Sequence, residues 1–261
     1  PNSLRKAVSR KTKCVIPVHL YGQSCEMGEI GEVADDLNLL VIEDCAQALG
    51  AEYMGRQVGS MGDAAVFSFG FDKNLTTGEG GMLVTNQRDL YEKALKMMKE
   101  SCLWKPWFGR YSLFKLLFRY ILTDKRYYGL SRYVYKIHTI LRYVRSHLRS
   151  DYMNEMKHSP VFMDGFRARL GLSQLRNIEW INENRIKNAL FLSDQLKNCK
   201  HLSIPHIPSY TKNVFLRYTV LLNENTFALS RRAVIKFFAQ HGFEVTPAAY
   251  YKPLHLLPPY N

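Results

Sequence analysis

Between Lys13 and Ile42 the apolar positions change spacing twice. From Lys13 to His19 (KCVIPVH) they run almost without interruption, as in a strand covered on both faces. From Glu26 to Leu37 they recur at Met27, Ile30, Val33, Ala34 and Leu37, with acids between them. That is the stripe of an amphipathic helix. From Leu39 to Ile42 they run together again. Strand, helix and strand at this spacing predict a βαβ unit, and strands joined by a crossover helix lie parallel. An α/β fold follows, with a mixed, mostly parallel sheet and flanking helices.

The rest of the chain continues the pattern. Pro1 to Arg10 predicts a basic helix. Met54 to Gly62 (MGRQVGSMG) is turn-rich, and Ala64 to Phe69 and Gly81 to Thr85 are short strand-like runs. Asp89 to Lys99 predicts a helix with Leu90, Leu95 and Met98 placed to face a sheet. Leu170 to Leu196 predicts one long amphipathic helix carrying Leu172, Leu175, Ile178, Ile181 and Ile186. A linker at Pro205 to Pro208 precedes a strand at Phe215 to Leu222, a helix at Ser230 to His241 and a strand at Phe243 to Pro247. This organisation predicts a large domain over residues 1–200 and a small α+β domain, incomplete, over 205–261. Because the chain starts at Pro1 and ends just after a proline-rich stretch, a fragment of a longer protein is expected.

In α/β sheets ligands gather at the carboxyl ends of the strands. Asp44, Gln47 and His19 are all placed there. Past the next strand, Lys73 lies in a turn crowded on its C-terminal side by Gly78, Gly80 and Gly81. Glycine permits positive φ and close approach of a ligand. A lysine in such a turn is a surface residue, a phosphate ligand or a covalent nucleophile, and the surface role is the default. The Gly78-Glu79-Gly80-Gly81 run lacks the Lys-Ser/Thr and the helix of a nucleotide phosphate loop.

Composition narrows the classes. The 261 residues are 46% apolar, enough for a sizeable core. The five cysteines are scattered with no paired spacing, and the histidines show no metal spacing. No apolar signal region follows the basic start, so a reducing cytoplasm is the simplest setting. The net charge is +13. Residues 101–150 hold eleven basic residues against the single acid Asp124, so +10 comes from this one segment and +3 from the remainder. Within it, Tyr111 to Leu122 and the stripe Leu130, Val134, Ile137, Leu141, Val144 and Leu148 predict basic amphipathic helices, opened by Trp104, Trp107 and Phe108. Neither run is long and uncharged enough to span a bilayer. Two readings stand: an insertion packed on protein, or peripheral membrane contact through residues 104–149 at the inner face of the membrane. No stacking platform or recognition motif accompanies the charge, which argues against nucleic acid.

A strand-end carboxylate and a loop lysine on an α/β sheet suit pyridoxal phosphate. The lysine forms a Schiff base with the aldehyde. The carboxylate pairs with the protonated ring nitrogen and keeps the ring an electron sink. Ser68 is the candidate phosphate donor.

Four stretches carry a resemblance. Val18-His19-Leu20-Tyr21-Gly22-Gln23, Ile42-Glu43-Asp44-Cys45-Ala46-Gln47-Ala48, Gly59-Ser60-Met61-Gly62-Asp63 and Ser68-Phe69, followed by Lys73-Asn74-Leu75-Thr76-Thr77-Gly78-Glu79-Gly80-Gly81, resemble the DegT/StrS family of sugar aminotransferases. The resemblance is strong from Arg10 to Met98 and weaker over Gly165 to Glu183 and Phe215 to Pro258. It implies a fold-type I pyridoxal phosphate transferase working as a homodimer with a shared active site. The implied reaction moves an amino group from an amino acid, usually L-glutamate, to a keto group of a nucleotide-linked sugar. By position, Lys73 is the Schiff-base lysine and proton carrier, Asp44 binds the ring nitrogen, Gln47 lies near the ring 3-hydroxyl and Ser68 binds the phosphate. His19, Tyr21, Arg169 and His255 are the implied substrate-lining residues, without a metal.

The sequence also departs from the family pattern. The family's upstream phosphate-cup residues and ring-stacking aromatic precede Pro1. In its Asn-aromatic-Arg motif only the arginine is retained, as Arg169 of Arg167-Ala168-Arg169. Gly70 replaces a bulkier residue. The alternative these departures favour is a catalytically silent paralogue acting as a binding or regulatory protein. A dehydratase branch of the family replaces the lysine by histidine, so Lys73 argues against that chemistry.

Overall fold

The computed structural model describes residues 2–102, 114, 116–118, 120–121, 126, 161–223, 230–241, 243 and 245. The expected basic insertion falls almost wholly outside these residues, and so do His255 and most of the expected strand at Phe243 to Pro247. The chain divides into two compact units, residues 1–189 with 207–217, and residues 190–206 with 218–261.

The first unit is built on a four-stranded sheet. Strands β1 (Cys14–Val15), β2 (Leu40–Asp44), β5 (Ala64–Ser68) and β6 (Gly81–Val84) lie in the order β1-β2-β5-β6. The first three are parallel and β6 runs antiparallel to β5. Helix α1 (Asn2–Ala7) precedes them, and α2 (Met27–Asp36) makes the crossover from β1 to β2. Its Met27 and Ala34 share a core cluster with Val41 and Tyr53. A second cluster gathers Cys45, Ala48, Ala51, Val58, Ala65 and Val214. Helix α3 (Arg88–Ser101) follows β6. Leu90 and Leu95 are half-buried, whereas Met98 is exposed rather than facing the sheet.

Between β2 and β5 the turn-rich connection forms a hairpin, β3 (Glu52–Tyr53) and β4 (Arg56–Gln57). Its two-residue turn, Met54-Gly55, has positive φ at both positions, which matches the twist of the flanking strands. Strand β8 (Thr211–Lys212) adds antiparallel to β3, and Lys212 pairs with Glu52 at 3.2 Å. This pairing goes with the placement of residues 207–217 in the first unit, whereas the sequence reading assigns 205–261 to the small domain.

Two expected elements are broken. The long helix is two helices, α4 (Gly165–Leu175) and α5 (Ile178–Leu196). At the break Asn177 turns its backbone amide to Gln174 O (2.9 Å) and its side-chain amide to Ser173 O (3.4 Å), the local bonding by which asparagine competes with a continuing helix. The expected strand from Phe215 is strand only at β9 (Leu221–Leu222), which pairs with β7 (Leu202–Ser203) in the second unit. Before it, side chains take the place of a strand partner. Arg185 donates to the carbonyls of Phe215 and Leu216 at 3.0 and 2.8 Å, and Asn213 Oδ1 accepts from Phe215 N at 2.7 Å. The second unit also holds α6 (Arg231–Gln240), capped by Ser230. Among the described residues no helix is long and apolar enough to cross a membrane.

One buried charge ties the sheet to its loops. Glu43, beside Asp44 in β2, is fully buried. Its Oε1 accepts from the amides of Met61 and Gly62, both at 2.7 Å. Its Oε2 accepts from Gly59 N at 2.7 Å and pairs with His19 Nε2 at 3.1 Å. His19 Nδ1 accepts from Cys25 N at 3.0 Å, so the proton sits on Nε2 and points at the carboxylate. Burial pushes the Glu43 carboxyl up, but His19 and the three amides more than offset it, so it sits below the ordinary glutamate value.

The sign of the pH dependence follows. With the folded value depressed, the stabilisation is present above the unfolded glutamate range, about 4.3, and is lost as pH falls through the lower folded value. Glu43→Gln should cost about 3 kcal/mol in denaturant unfolding at pH 7, because an amide cannot accept from all four donors. The gap between wild type and variant should narrow in acid. Equal stability at pH 7 would show that this carboxylate is no anchor.

Candidate active site

The candidate side chains lie at the carboxyl ends of β2 and β5 and in the turns that follow. Asp44 is the last residue of β2. Its backbone is held on both sides, donating to Pro17 O at 2.9 Å and accepting from His19 N at 3.1 Å. Its Oδ1 takes the amide of Ala46 at 3.0 Å. Gln47 Oε1 accepts from Tyr21 N at 3.1 Å. Tyr21 sits at φ 57°, a left-handed conformation costly for a non-glycine residue. It is held on both sides, because its carbonyl takes the backbone amide of Arg217 at 3.5 Å. The neighbouring Gly22 has φ 98°, and a Cβ there would stand 2.6 Å from Phe215 N.

The strand register pairs Asp44 with Val66, so Ser68 lies two residues further along β5 in the same direction. Its Oγ accepts from Gly70 N at 3.4 Å. The Lys73 loop then closes on itself, with Phe69 N donating to Gly80 O (2.8 Å) and Thr77 N to Phe69 O (3.0 Å). Two helices pin it. The side-chain amide of Gln174, on α4, donates to Thr76 O at 2.7 Å and accepts from Thr76 N at 3.1 Å. Asn182, on α5 and 2% exposed, accepts from Asn74 Nδ2 at 2.8 Å and donates to Leu49 O at 2.9 Å. A single buried amide therefore connects the residue after Lys73 to the turn after Asp44 and Gln47. Gly50 makes room for it, since a Cβ there would meet Asn182 Nδ2 at 2.5 Å.

Lys73 itself is mostly shielded, with 17% of its side chain exposed. Its Nζ is 3.6 Å from Asp72 Oδ1, and Asp72 Oδ2 is 3.2 Å from Arg217 Nη2. Partial burial pushes the Asp72 carboxyl up, but Lys73 and Arg217 outweigh it and hold Asp72 below its ordinary value.

Three expected site residues fare differently. His19 does not line a site: it is fully buried and both ring nitrogens are engaged. Arg169 is exposed on α4, whereas Arg167 is the buried arginine, bonded to Asp164 at 2.8 Å and to Phe162 O at 3.0 Å. His255 lies outside the described residues. Asp72, Arg217, Asn182 and Gln174 were not expected from the sequence. A polar residue such as Asn182 in a helix that also carries an apolar stripe was the available signal for the last two.

His19, Glu43 and Cys45 bring their ligating atoms within 4.8 Å of one another. They do not make a metal site. Both Glu43 oxygens already accept two hydrogen bonds each, both His19 nitrogens are used, and burial pushes the Cys45 thiol up, away from the thiolate a metal requires. The donor set around Asp44 and Lys73 fits an aromatic aldehyde with a phosphate arm. It offers an amine, a carboxylate, an amide and a hydroxyl from the carboxyl ends of β2 and β5 and the turns that follow.

Residues 1–120 and 134–261 match the DegT/DnrJ/EryC1/StrS aminotransferase family. GDP-perosamine synthase of Caulobacter vibrioides is 32% identical over 264 residues, covering 98% of this chain and 57% of that protein. The dTDP-3-amino-3,6-dideoxy-alpha-D-galactopyranose transaminase of Aneurinibacillus thermoaerophilus is 51% identical over 94 residues, 36% of this chain and 26% of that protein. The solved structure of S. venezuelae DesV in complex with a ketimine intermediate matches with a TM-score of 0.68 at 25% identity, covering 98% of this chain and 55% of that one. The chain spans little more than half the length of the relatives it matches end to end. With nearly every residue inside the match, this chain belongs to the DegT/DnrJ/EryC1/StrS aminotransferase family.

Proposed function

We propose that the protein transfers an amino group from an amino acid, with L-glutamate as the donor, to the keto group of a nucleotide-linked sugar, using pyridoxal 5'-phosphate. The observation that carries this reading is the Asn182 bridge, which ties the Lys73 loop to the turn after Asp44 and Gln47. Relatives named for GDP-perosamine and dTDP-amino-sugar synthesis support the substrate class. When bound, the cofactor supplies an electron sink for breaking and making bonds at the carbon that bears nitrogen. Lys73 would supply the amine that holds the aldehyde carbon, and its Nζ would carry the proton between the substrate carbon and that cofactor carbon. The Asp44 carboxylate accepts a hydrogen bond from the protonated ring nitrogen. Gln47 orients the ring near its 3-hydroxyl, and Ser68 donates to the phosphate. A homodimer in the cytoplasm with a shared active site completes the reading.

A second property concerns the basic segment. The described positions between 114 and 121 are helical, and Phe114, Leu117, Phe118 and Ile121 are exposed at helical spacing, the two phenyl rings stacking at 6.4 Å. Such a stripe inside a segment of charge +10 favours contact with an anionic membrane face. Each basic residue near that surface contributes about 1 kcal/mol.

Two experiments test these statements. The purified protein with added pyridoxal phosphate should be yellow, and Lys73→Ala should lose the visible band. A protein that stays colourless removes the enzyme reading and leaves the silent paralogue. Sedimentation with phosphatidylserine vesicles should pull the protein down at low salt and release it as salt rises; absence from the pellet at low salt removes the membrane contact.

A further inference from the structure

We propose that Asn182 is a positioning residue of the cofactor site: its two hydrogen bonds hold the Lys73 loop in register with the turn after Asp44, and they serve that register rather than the stability of the fold. The proposal rests on the pyridoxal phosphate reading of the site. The direction of each bond follows from one fixed point. A main-chain carbonyl only accepts, so Asn182 turns Nδ2 to Leu49 O at 2.9 Å. Its Oδ1 is then left for Asn74, which turns its own Nδ2 to it at 2.8 Å. Asn74 Oδ1 is thereby directed elsewhere, and among the described residues it is buried without a hydrogen-bond partner. The orientation of the side chain next to Lys73 is thus dictated from the turn that follows Asp44 and Gln47.

Energetics separate register from stability. A buried polar pair stabilises a fold when its bonding capacity is used, and an acceptor left without a partner cancels part of that gain. Two apolar side chains of similar size would exchange the unpaired Asn74 oxygen for an unpaired Leu49 carbonyl and fill the same space with apolar contact. Such a double replacement is close to neutral for stability. Gly50 makes a second accommodation to the bridge. Its φ is 84°, and a Cβ there would stand 2.5 Å from Asn182 Nδ2. What the amide supplies and apolar residues lack is direction. Bonded at both ends, it fixes two loops to within a hydrogen-bond length of each other. Groups that must meet one ligand lose binding and rate steeply when displaced beyond that tolerance. Gln174 holds Thr76 from α4, so the segment after Lys73 is fixed at two points, and Asn182 alone of the two also reaches the Asp44 turn.

The test compares cofactor affinity with folding stability. Asn182→Leu, Asn74→Leu and the double variant are titrated with pyridoxal phosphate by the visible band, and the cofactor-free forms are unfolded in denaturant. Each single variant should bind the cofactor about ten-fold more weakly, and the double variant should bind no worse than the singles, because each removes the same bridge. The single variants should unfold at lower denaturant, and the double variant should return close to the wild-type midpoint. If affinity returns together with the midpoint, the bridge serves stability only and the proposal falls. Unchanged affinity in all three variants also overturns it. Hydrogen exchange of the cofactor-free proteins, followed by mass spectrometry, needs no visible band. Peptides covering residues 45–51 and 69–80 should exchange faster in the double variant than in the wild type. Faster exchange in a protein that never turns yellow refutes the cofactor reading and supports the bridge. Unaltered exchange overturns the bridge whatever the colour, so the two failures are distinguishable.

Discussion

A carboxylate with no exposure to water must be matched by donors, and Glu43 is matched by four. The donors come from two separate segments, the His19 loop and the turn from Gly59 to Gly62. Both are drawn to the carboxyl-terminal half of β2, where Asp44 follows in sequence. The burial of one charge therefore decides where the neighbouring one stands. Removing any single donor would leave a charge short of partners in a low-dielectric interior, which is why the arrangement resists local rearrangement. His19 belongs to this anchor, and its contribution to any chemistry is indirect.

On that frame the lysine loop is placed from three directions. Its own backbone closes it, Gln174 clamps Thr76 by both amide atoms, and Asn182 spans from Asn74 to Leu49. The two helices that carry these amides lie more than ninety residues downstream in the chain. A further segment lies against Tyr21 and Gly22, with Val214 N donating to Gly22 O and Arg217 N to Tyr21 O. Arg217 arrives with it.

The strands and the crossover helix were legible because their signals are local. Apolar runs, a 3.6-residue stripe and glycine punctuation each act over a few residues. The alternation of β2 also held an unused signal. Glu43 shares its side of the strand with buried Val41, while Asp44 shares its side with Ile42. What escaped were interactions between residues far apart. The return of residues 207–217 depends on pairing with β3, and the break at Asn177 depends on a side chain bonding its own helix. That Arg167 is buried and Arg169 exposed depends on the side chain of Asp164, which pairs with Arg167 and caps the helix at once.

The central claim is that the Lys73 loop and the Asp44 turn form one cofactor site. Borohydride reduction of the protein with pyridoxal phosphate, followed by proteolysis and mass spectrometry, tests it most directly. A phosphopyridoxyl mass on Lys73, absent from other lysines at stoichiometric cofactor, is the expected result. A label spread over surface lysines, or confined to a lysine other than Lys73, would contradict it.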